Sequence, residues 1–410
     1  MMNAAITHVL PPDTQAILLL CASFGQNRQI EPQPLTLSEY NSVAEWLREN
    51  QMRPGDLLAP TAKENFRKIT ASINPDKLSA LLERGAMLSL AVEKWTNQGL
   101  WVLGRSDINY PKRLKQQLRH LAPAILYGVG NIELLSMGGL AIVGSRNVGE
   151  EELGYTKRVA ETSAAQGMQV ISGGARGVDQ AAMLGVLDAG GTAIAVLADS
   201  LTKAAVNSKY RESIIEGRFI LTSSYDPDAG FNTGNAMGRN KYIYTLADYA
   251  LVVSSTAGKG GTWAGAMEVL SRFKDVPIFV RIHPTSSGGN RELYDRGAKP
   301  FPDEPWNDSL KELLAKVTSK VELVEAEVKT IPQDAASDLS PKDIYEAVLP
   351  FILNQLQQPK DAKSLAKSLD VRLVQMQDWL NRAVTDGKVR KINKPVTYVV
   401  NQLTTQLSLL

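Results

Sequence analysis

The pattern of apolar and polar positions divides the chain into three regions. In the first, up to about residue 135, apolar residues recur at helical spacing, as at Tyr40, Val43 and Leu47, and prolines interrupt the pattern as turns. This pattern predicts a mostly helical segment that closes with an extended stretch over residues 107–130.

The second region, about residues 136–305, alternates short apolar runs with amphipathic stretches. Alternation at this repeat length is typical of a parallel sheet with right-handed crossovers. The sequence predicts helices at Glu151–Gln166, Val178–Ala189 and Thr262–Phe273. It predicts strands at Leu140–Val143, Met168–Ile171, Thr192–Leu197, Arg218–Thr222, Tyr249–Val253 and Val276–Val280.

The third region follows a stretch rich in Ser, Asp, Pro and Ala, residues 326–340, which we predict to be a linker. Three helical patterns come next: one begins at Pro341 and runs to about Leu356, and two form a pair, residues 360–369 and 373–385, around Asp370. A basic alternating segment, residues 388–400, then predicts a hairpin wing, so the order is that of a winged helix.

These patterns predict an α/β protein, in which a Rossmann-like parallel sheet is flanked by an N-terminal helical domain and a C-terminal winged helix. The predicted bounds are 1–105 for the helical domain, 106–325 for the Rossmann-like domain, 326–340 for the linker and 341–410 for the winged-helix domain.

Composition narrows the classes of partner and compartment. A formal net charge of +2 on 410 residues gives no global field for a polyanion, so any affinity for DNA must come from a local basic cluster. The single cysteine, Cys21, fits a reducing, cytoplasmic compartment, and its apolar run is too short to cross a membrane. The three histidines, His8, His120 and His283, share no metal-ligand spacing, so we predict no metal and no other cofactor.

Four glycine-flanked polar segments follow the predicted strands or open predicted helices. Glycine lets the backbone approach a ligand closely, and a helix N-terminus offers free N–H groups to an anion. Guanidinium and ammonium groups in these segments suit phosphate oxygens. The convergence predicts a site for a phosphate-bearing ligand, formed by Gly144, Ser145, Arg146, Gly173, Gly174, Ala175, Arg176, Arg239, Asn240, Lys241 and Lys259.

At these segments the chain resembles the DprA/Smf family of DNA-processing proteins. The resemblance rests on AIVGSR (141–146), VISGGARGVDQAA (170–182), TAIAVL (192–197) and MGRNKYIYTLAD (237–248), and upstream on residues 108–131. It implies a recombination mediator without catalytic activity, which binds and protects single-stranded DNA and helps load RecA during natural transformation or related recombination. It also implies a homodimer, and it assigns phosphate contacts to the GSR, GGAR and RN motifs at 144–146, 173–176 and 239–240.

The chain departs from the family pattern after two strands. The usual Ser-Gly-Ser-Leu-type segment is replaced by residues 254–263, and the usual Pro-Gly after the sixth strand is replaced by Val280-Arg281-Ile282. In the family these regions contribute to self-association and partner contacts, so the departures bear on dimer geometry and RecA loading.

Two other functions compete with DNA binding. The segment Gly260-Gly261-Thr262 with Glu268 resembles the lysine-decarboxylase-like nucleotide phosphoribohydrolases, but Glu268 follows Thr262 by six residues rather than three, which shifts it roughly 4.5 Å along a helix. Binding of a nucleotide-derived signal without catalysis is the other alternative.

Structural roles compete with functional ones for individual side chains. Arg146 or Arg176 could brace its loop by pairing with Asp179, and the aromatic rings of Tyr242 and Phe231 could either stack on bases or pack on the sheet. Trp263 is predicted to lie in the core. The basic wing residues are open to DNA-phosphate or protein contacts; they are Lys388, Arg390, Lys391 and Lys394.

Overall fold

The computed structural model describes residues 10–24, 32–62, 73–273, 275–283, 288–329, 344–356, 358–369, 371–393 and 396–401. The chain divides into two compact units, Met1–Glu322 and Leu323–Leu410. Within the described ranges, the helices are all too short or too polar to cross a membrane.

Among the described residues, four α-helices precede the sheet, as the apolar periodicity predicts. The second of them begins with a capping box, in which the Thr36 N–H donates to Glu39 Oε2 at 2.7 Å and the Glu39 N–H donates to Thr36 Oγ1 at 3.2 Å. The first is buried over most of its length, and Cys21 at its end packs against the core, where desolvation raises the pKa of the thiol to about 12. The helices are α1 (Pro12–Cys21), α2 (Leu37–Glu49), α3 (Pro75–Leu82) and α4 (Gly85–Asn97).

The main sheet has nine strands in the described residues, in the order β1-β2-β6-β5-β4-β3-β7-β8-β9. All six predicted strands are confirmed, with ends shifted by one or two residues. The strands are β1 (Trp101–Gly104), β2 (Ile125–Gly130), β3 (Leu140–Gly144), β4 (Val170–Ser172), β5 (Ala193–Leu197), β6 (Phe219–Ser223), β7 (Tyr249–Ser254), β8 (Ile278–Val280) and β9 (Lys299–Pro300).

The predicted strands form a parallel sheet, as expected, and two further strands, β1 and β2, make the whole sheet mixed. Strands β3 to β9 pair in parallel, but β1 and β2 lie in the segment predicted to be helical or extended, and β2 pairs antiparallel with β6. A short apolar run such as Ile125–Gly130 has no period that distinguishes a strand from other buried structure. Its partner, β6, is decided by the tertiary fold.

Helices cover both faces of the sheet. Alternate residues of β3 enter opposite cores: Leu140 and Ile142 pack with α6 and α7, whereas Ala141 and Val143 pack with α10 and α11. The helices of this part are α5 (Lys112–Leu118), α6 (Glu150–Ala165), α7 (Val178–Asp188), α8 (Leu201–Ala205), α9 (Ser208–Ile215), α10 (Thr233–Leu246), α11 (Gly260–Arg272), α12 (Gly288–Asp295) and α13 (Leu310–Lys329).

Helix α13 extends into the first residues of the predicted linker, and the rest of that segment lies outside the described residues. The C-terminal unit follows the predicted order of three helices and a hairpin. Its elements are α14 (Ile344–Gln355), α15 (Ala362–Ser368), α16 (Leu373–Thr385), β10 (Val389–Asn393) and β11 (Val396–Val400).

Backbone hydrogen bonds join the C-terminal hairpin to the start of the helix pair. Lys360 and Tyr398 exchange backbone hydrogen bonds of 3.1 and 2.8 Å, beside the antiparallel pair β10–β11. Pro341, Asp370 and Lys394 lie outside the described residues. The winged-helix assignment and the predicted domain bounds stay predictions.

Candidate phosphate-binding cleft

A cleft of about 480 Å³ opens at the carboxyl ends of β3 and β7. From β3 the chain moves outward through β4, β5 and β6, then returns to the other side of β3 with β7. Ligands of open α/β sheets bind at such a switch point, because the loops after the two central strands diverge there. The fold therefore places the cleft where a ligand site is expected.

Glycines bring the first two loops close together. A Cβ on Gly144 would lie 2.5 Å from Val178 Cγ2, and a Cβ on Gly177, whose φ is +79°, would lie 2.5 Å from the Ser145 carbonyl oxygen. The first turn of α7 can therefore approach the end of β3 only because these positions lack side chains.

Arg239 forms the floor of the cleft and is only 5% exposed. The sequence-based expectation that residues 238–241 form a loop opening a helix is wrong, since these residues lie inside α10. That helix begins earlier because the Asn232 side chain caps it by accepting from the Asn235 N–H at 3.2 Å. A Cβ on Gly173 would overlap Arg239 Nη1, so the guanidinium lies directly against this glycine.

The Arg239 guanidinium is desolvated and has unused donors. Its Nε and Nη1 atoms are buried without a hydrogen-bond partner among the described residues. Burial lowers the pKa of Arg239, the nearby Asp179 carboxylate raises it, and the nearby Arg146 guanidinium lowers it. Buried donors are nearly always paired, so this arrangement indicates an acceptor group on a ligand.

Asp179 lies beside Arg239 at the start of α7 and is 6% exposed. Burial raises the pKa of its carboxyl group, and Arg239 together with the backbone amides of Ala175, Gly144 and Gly173 opposes that shift. The neighbouring cation is thus Arg239, not the Arg146 or Arg176 considered from the sequence. By contacting amides of both loops, Asp179 holds the loops together.

Arg146 and Phe231 lie at the mouth of the cleft. The Arg146 guanidinium carbon is 5.5 Å from the centroid of the Phe231 ring, and that ring is 58% exposed. Phe231 is therefore an exposed aromatic residue in the lining of the cleft, whereas Tyr242 of α10 and Trp263 of α11 are buried in the core.

The N-terminus of α11 forms the opposite wall. Lys259 is exposed at the N-cap position, and Gly260, with φ of +84°, allows the turn into the helix. Thr262 Oγ1 donates to the Gly144 carbonyl oxygen at 2.9 Å, and Asn240 Nδ2 donates to the Gly261 carbonyl oxygen at 2.9 Å. The Asn240 amide therefore braces α11 against α10.

Not every predicted residue reaches the cleft. The described residues that line it do not include Gly173, Gly174, Arg176 or Lys241. Gly173 lies against Arg239, Arg176 is exposed in its loop, and Lys241 Nζ lies 5.5 Å from the Tyr242 ring centroid. Glu268, the acid of the hydrolase alternative, is also outside the lining and forms an ion pair with Arg272 at 3.8 Å.

The wing residues belong to the second unit. Lys388, Arg390 and Lys391 are exposed on or beside β10. Arg382, also in this unit, contacts an aromatic ring: its guanidinium carbon lies 4.1 Å from the ring centroid of Tyr345.

Sequence reasoning missed one face of α10. Ala236, Met237, Ile243 and Tyr244 line the cleft together with Asn240. These positions recur every three or four residues, which is the spacing of one helix face. The Asn232 cap would have indicated this face, because it sets where the helix begins.

Comparisons with known proteins agree with the arrangement of motifs. A family model described as DNA recombination-mediator protein A matches residues 101–313, just over half of the chain. DNA processing protein DprA of Streptococcus pneumoniae is 27% identical over 184 residues, which cover 43% of this chain and 63% of that protein. Protein Smf of Escherichia coli is 30% identical over 140 residues, 34% of this chain and 37% of that protein.

Both matches thus cover less than two thirds of the relative's length. The X-ray structure of DprA from S. pneumoniae is similar in fold, with a TM-score of 0.55 at 21% identity, and the similarity covers 71% of this chain and 94% of that chain. The family model extends over the entire sheet, from the start of β1 to beyond the end of β9, and over every loop of the cleft. The chain therefore belongs to the DNA recombination-mediator protein A family, as its resemblance to the DprA/Smf proteins predicted.

Proposed function

We propose that this chain binds single-stranded DNA in the cleft and acts as a recombination mediator that does not itself break bonds. Its family membership supports the mediator role. The observation that carries the proposal is the buried Arg239 guanidinium, whose Nε and Nη1 have no partner among the described residues, at the floor of a cleft that also contains Arg146 and Lys259. Phosphodiester oxygens are the acceptors that such a cluster suits.

The charges of Arg146 and Lys259 are available to a ligand, because carboxylates of the described residues do not neutralise them. In the part of the chain that the structure describes, neither Arg146 nor Lys259 forms an ion pair with a carboxylate. The exposed Phe231 ring beside Arg146 supports binding of an unpaired strand, because successive bases of such a strand stack on aromatic side chains.

Two observations favour binding over catalysis. Ser145 Oγ donates to the Asn147 carbonyl oxygen at 3.2 Å, a contact that does not activate a nucleophile. Glu268 pairs with Arg272, away from the cleft. These contacts support the non-catalytic proposal over the phosphoribohydrolase alternative.

RecA and a second copy of this chain are the protein partners we propose, with the cytoplasm as the place of action. Family membership supports them. At one departure from the family pattern, Arg281 is buried, pairs with Glu151 at 2.5 Å and lies 4.3 Å from the Tyr155 ring centroid, so this substitution has a role within the fold.

A salt titration tests the proposal. Oligo(dT) should bind with an affinity that falls steeply with salt, because each neutralised phosphate of a single strand contributes a slope of about −0.7. Equal binding at 50 and 200 mM salt, or thermal stabilisation by a mononucleotide without any oligonucleotide binding, would favour the sensor alternative.

Arg146→Ala is expected to weaken oligo(dT) binding about tenfold and to flatten the salt slope by about 0.7, the contribution of one phosphate. The matched control is Arg291→Ala, which removes an exposed guanidinium from α12. If Arg146→Ala binds like the parent with the same slope, Arg146 does not contact the strand.

Replacing Lys388, Arg390 and Lys391 together by Gln tests the wing. If the wing contacts DNA phosphates, the salt slope should flatten by about 2, and the affinity should fall by a similar factor for oligonucleotides of every sequence. An unchanged slope and affinity would instead assign the wing to protein contacts.

A further inference from the structure

Helix α5 carries a row of cations that do not line the cleft. Lys112, Lys115 and the C-cap residue Arg119 recur every three or four residues, which is the spacing of one helix face. Lys112 and Arg119 are exposed and Lys115 is partly exposed, whereas Leu114 and Leu118 are buried in the core. The three cations of the row therefore reach solvent.

The charges of this row are close together and are not neutralised by internal pairs. Burial lowers the pKa of the Lys115 ammonium, and so does the nearby Arg105 charge. Asp107 raises this pKa, and Lys112 lowers it further. In the ranges that the structure describes, Lys112, Lys115 and Arg119 form no ion pair with a carboxylate. On a chain with a net charge of only +2, such a local concentration of positive charge favours a polyanionic ligand.

Helix α10 connects this row with the cleft. Lys115 Nζ lies 5.2 Å from the ring centroid of Tyr110, and Lys241 Nζ lies 5.5 Å from the ring centroid of Tyr242. The two rings are neighbours in one buried cluster, where burial and then Tyr242 raise the pKa of the Tyr110 hydroxyl. Lys241 follows Met237 by four residues on the same face of α10, and Met237 is an exposed residue in the lining of the cleft. Cations therefore continue from the wall of the cleft across α10 to α5.

We propose that α10 and α5 carry a basic track that binds the phosphates of a nucleic-acid strand outside the cleft. The members of the track are Lys241, Lys112, Lys115 and Arg119. The inference rests on the proposed binding of single-stranded DNA: the cleft holds one part of the strand and the track holds the neighbouring part. Protein interfaces have an apolar or aromatic centre, whereas the residue exposed between Lys115 and Arg119 is Gln116, so a phosphate backbone suits this surface better than an acidic protein segment.

Oligo(dT) strands of two lengths test the track. A tetramer is short enough for the cleft alone, whereas a stacked 20-mer spans roughly 68 Å, about three times the length of α10. Fluorescence anisotropy of the full chain with both strands, at several salt concentrations, gives the affinity and the salt slope for each. The parent should bind the 20-mer with the steeper slope, because this strand contacts both the cleft and the track.

Replacing Lys112, Lys115 and Arg119 together by Gln should weaken binding of the 20-mer about tenfold and flatten its salt slope by about 2, the contribution of three phosphates. Binding of the tetramer should stay within about twofold of the parent, since the cleft is unchanged. A second variant, with Lys112→Arg and Lys115→Arg, keeps the charges and should bind the 20-mer like the parent.

The matched control removes three exposed cations from α8 and α9, so that the net charge falls by the same amount. The positions replaced by Gln are Lys203, Lys209 and Arg211. Thermal unfolding confirms that each variant is folded. Since the control keeps the track, its affinity for the 20-mer should stay within about twofold of the parent.

The outcomes distinguish the inference from the proposed function. If the track and control variants bind the 20-mer equally well, the track is not on the path of the strand, even where Arg146→Ala weakens binding of both lengths. If the track variant loses affinity for the 20-mer while Arg146→Ala binds both lengths like the parent, the track stands and the proposed use of the cleft falls. A parent protein that binds neither length would overturn both.

Discussion

Arg239→Met is expected to lower the affinity for oligo(dT) on the order of 100-fold or more. The guanidinium has two buried donors that find no partner in the part of the chain the structure describes. Two charge-assisted hydrogen bonds at about 1.5–3 kcal/mol each correspond to at least that factor. Met has a similar length and leaves no large void. Fluorescence anisotropy with labelled oligo(dT) at fixed salt measures the loss.

The same substitution should leave stability nearly unchanged. Arg239 makes no hydrogen bond through Nε or Nη1 to any residue within the described ranges, and Asp179 keeps the three backbone amides that oppose its raised pKa. We therefore expect the thermal midpoint to stay within roughly 4 °C of the parent, about 1 kcal/mol. If the variant binds normally, Arg239 does not contact the DNA strand. If the variant unfolds, the role of Arg239 is structural.

Gly173→Ala is expected to have the second-largest effect on oligo(dT) affinity, although it removes no charge. The new Cβ would overlap Arg239 Nη1 and would lie 2.6 Å from Asp179 Oδ2, so the guanidinium must leave the floor of the cleft. The substitution displaces the Arg239 guanidinium but keeps its charge. We therefore expect the affinity for oligo(dT) to fall about 30- to 100-fold and the salt slope to lose the contribution of one phosphate.

The matched control is Gly85→Ala, at an exposed position where an added Cβ meets no atom of the described residues within 4 Å. Combining Gly173→Ala with Arg239→Met gives a sharper test. The double variant should bind no worse than Arg239→Met alone, since both changes act on the same guanidinium. Additive losses would mean that Gly173 acts through another group.

Much of the sheet was predictable because its central strands are short apolar runs between glycine-rich loops. The sequence also predicted three of the loops that surround the cleft, since glycine and cationic residues stand at the strand-to-helix junctions. These are the loops after β3 and β4 and the glycine turn before α11. The start of α10 was not: MGRNKYIYTLAD contains a glycine that suggested a loop, but the cap at Asn232 places it inside the helix.

The amino-acid sequence by itself determined the family, the α/β class and the loops that could meet a phosphate, because these depend on local composition and on the order of motifs. Only the tertiary structure decided which cations converge. Arg239 became the buried floor while Arg176 stayed outside the lining, although both stand beside glycines in similar motifs. The reason is that side-chain direction and desolvation depend on the helix that carries a residue and on what packs against it, and neither is encoded in the spacing of the motif.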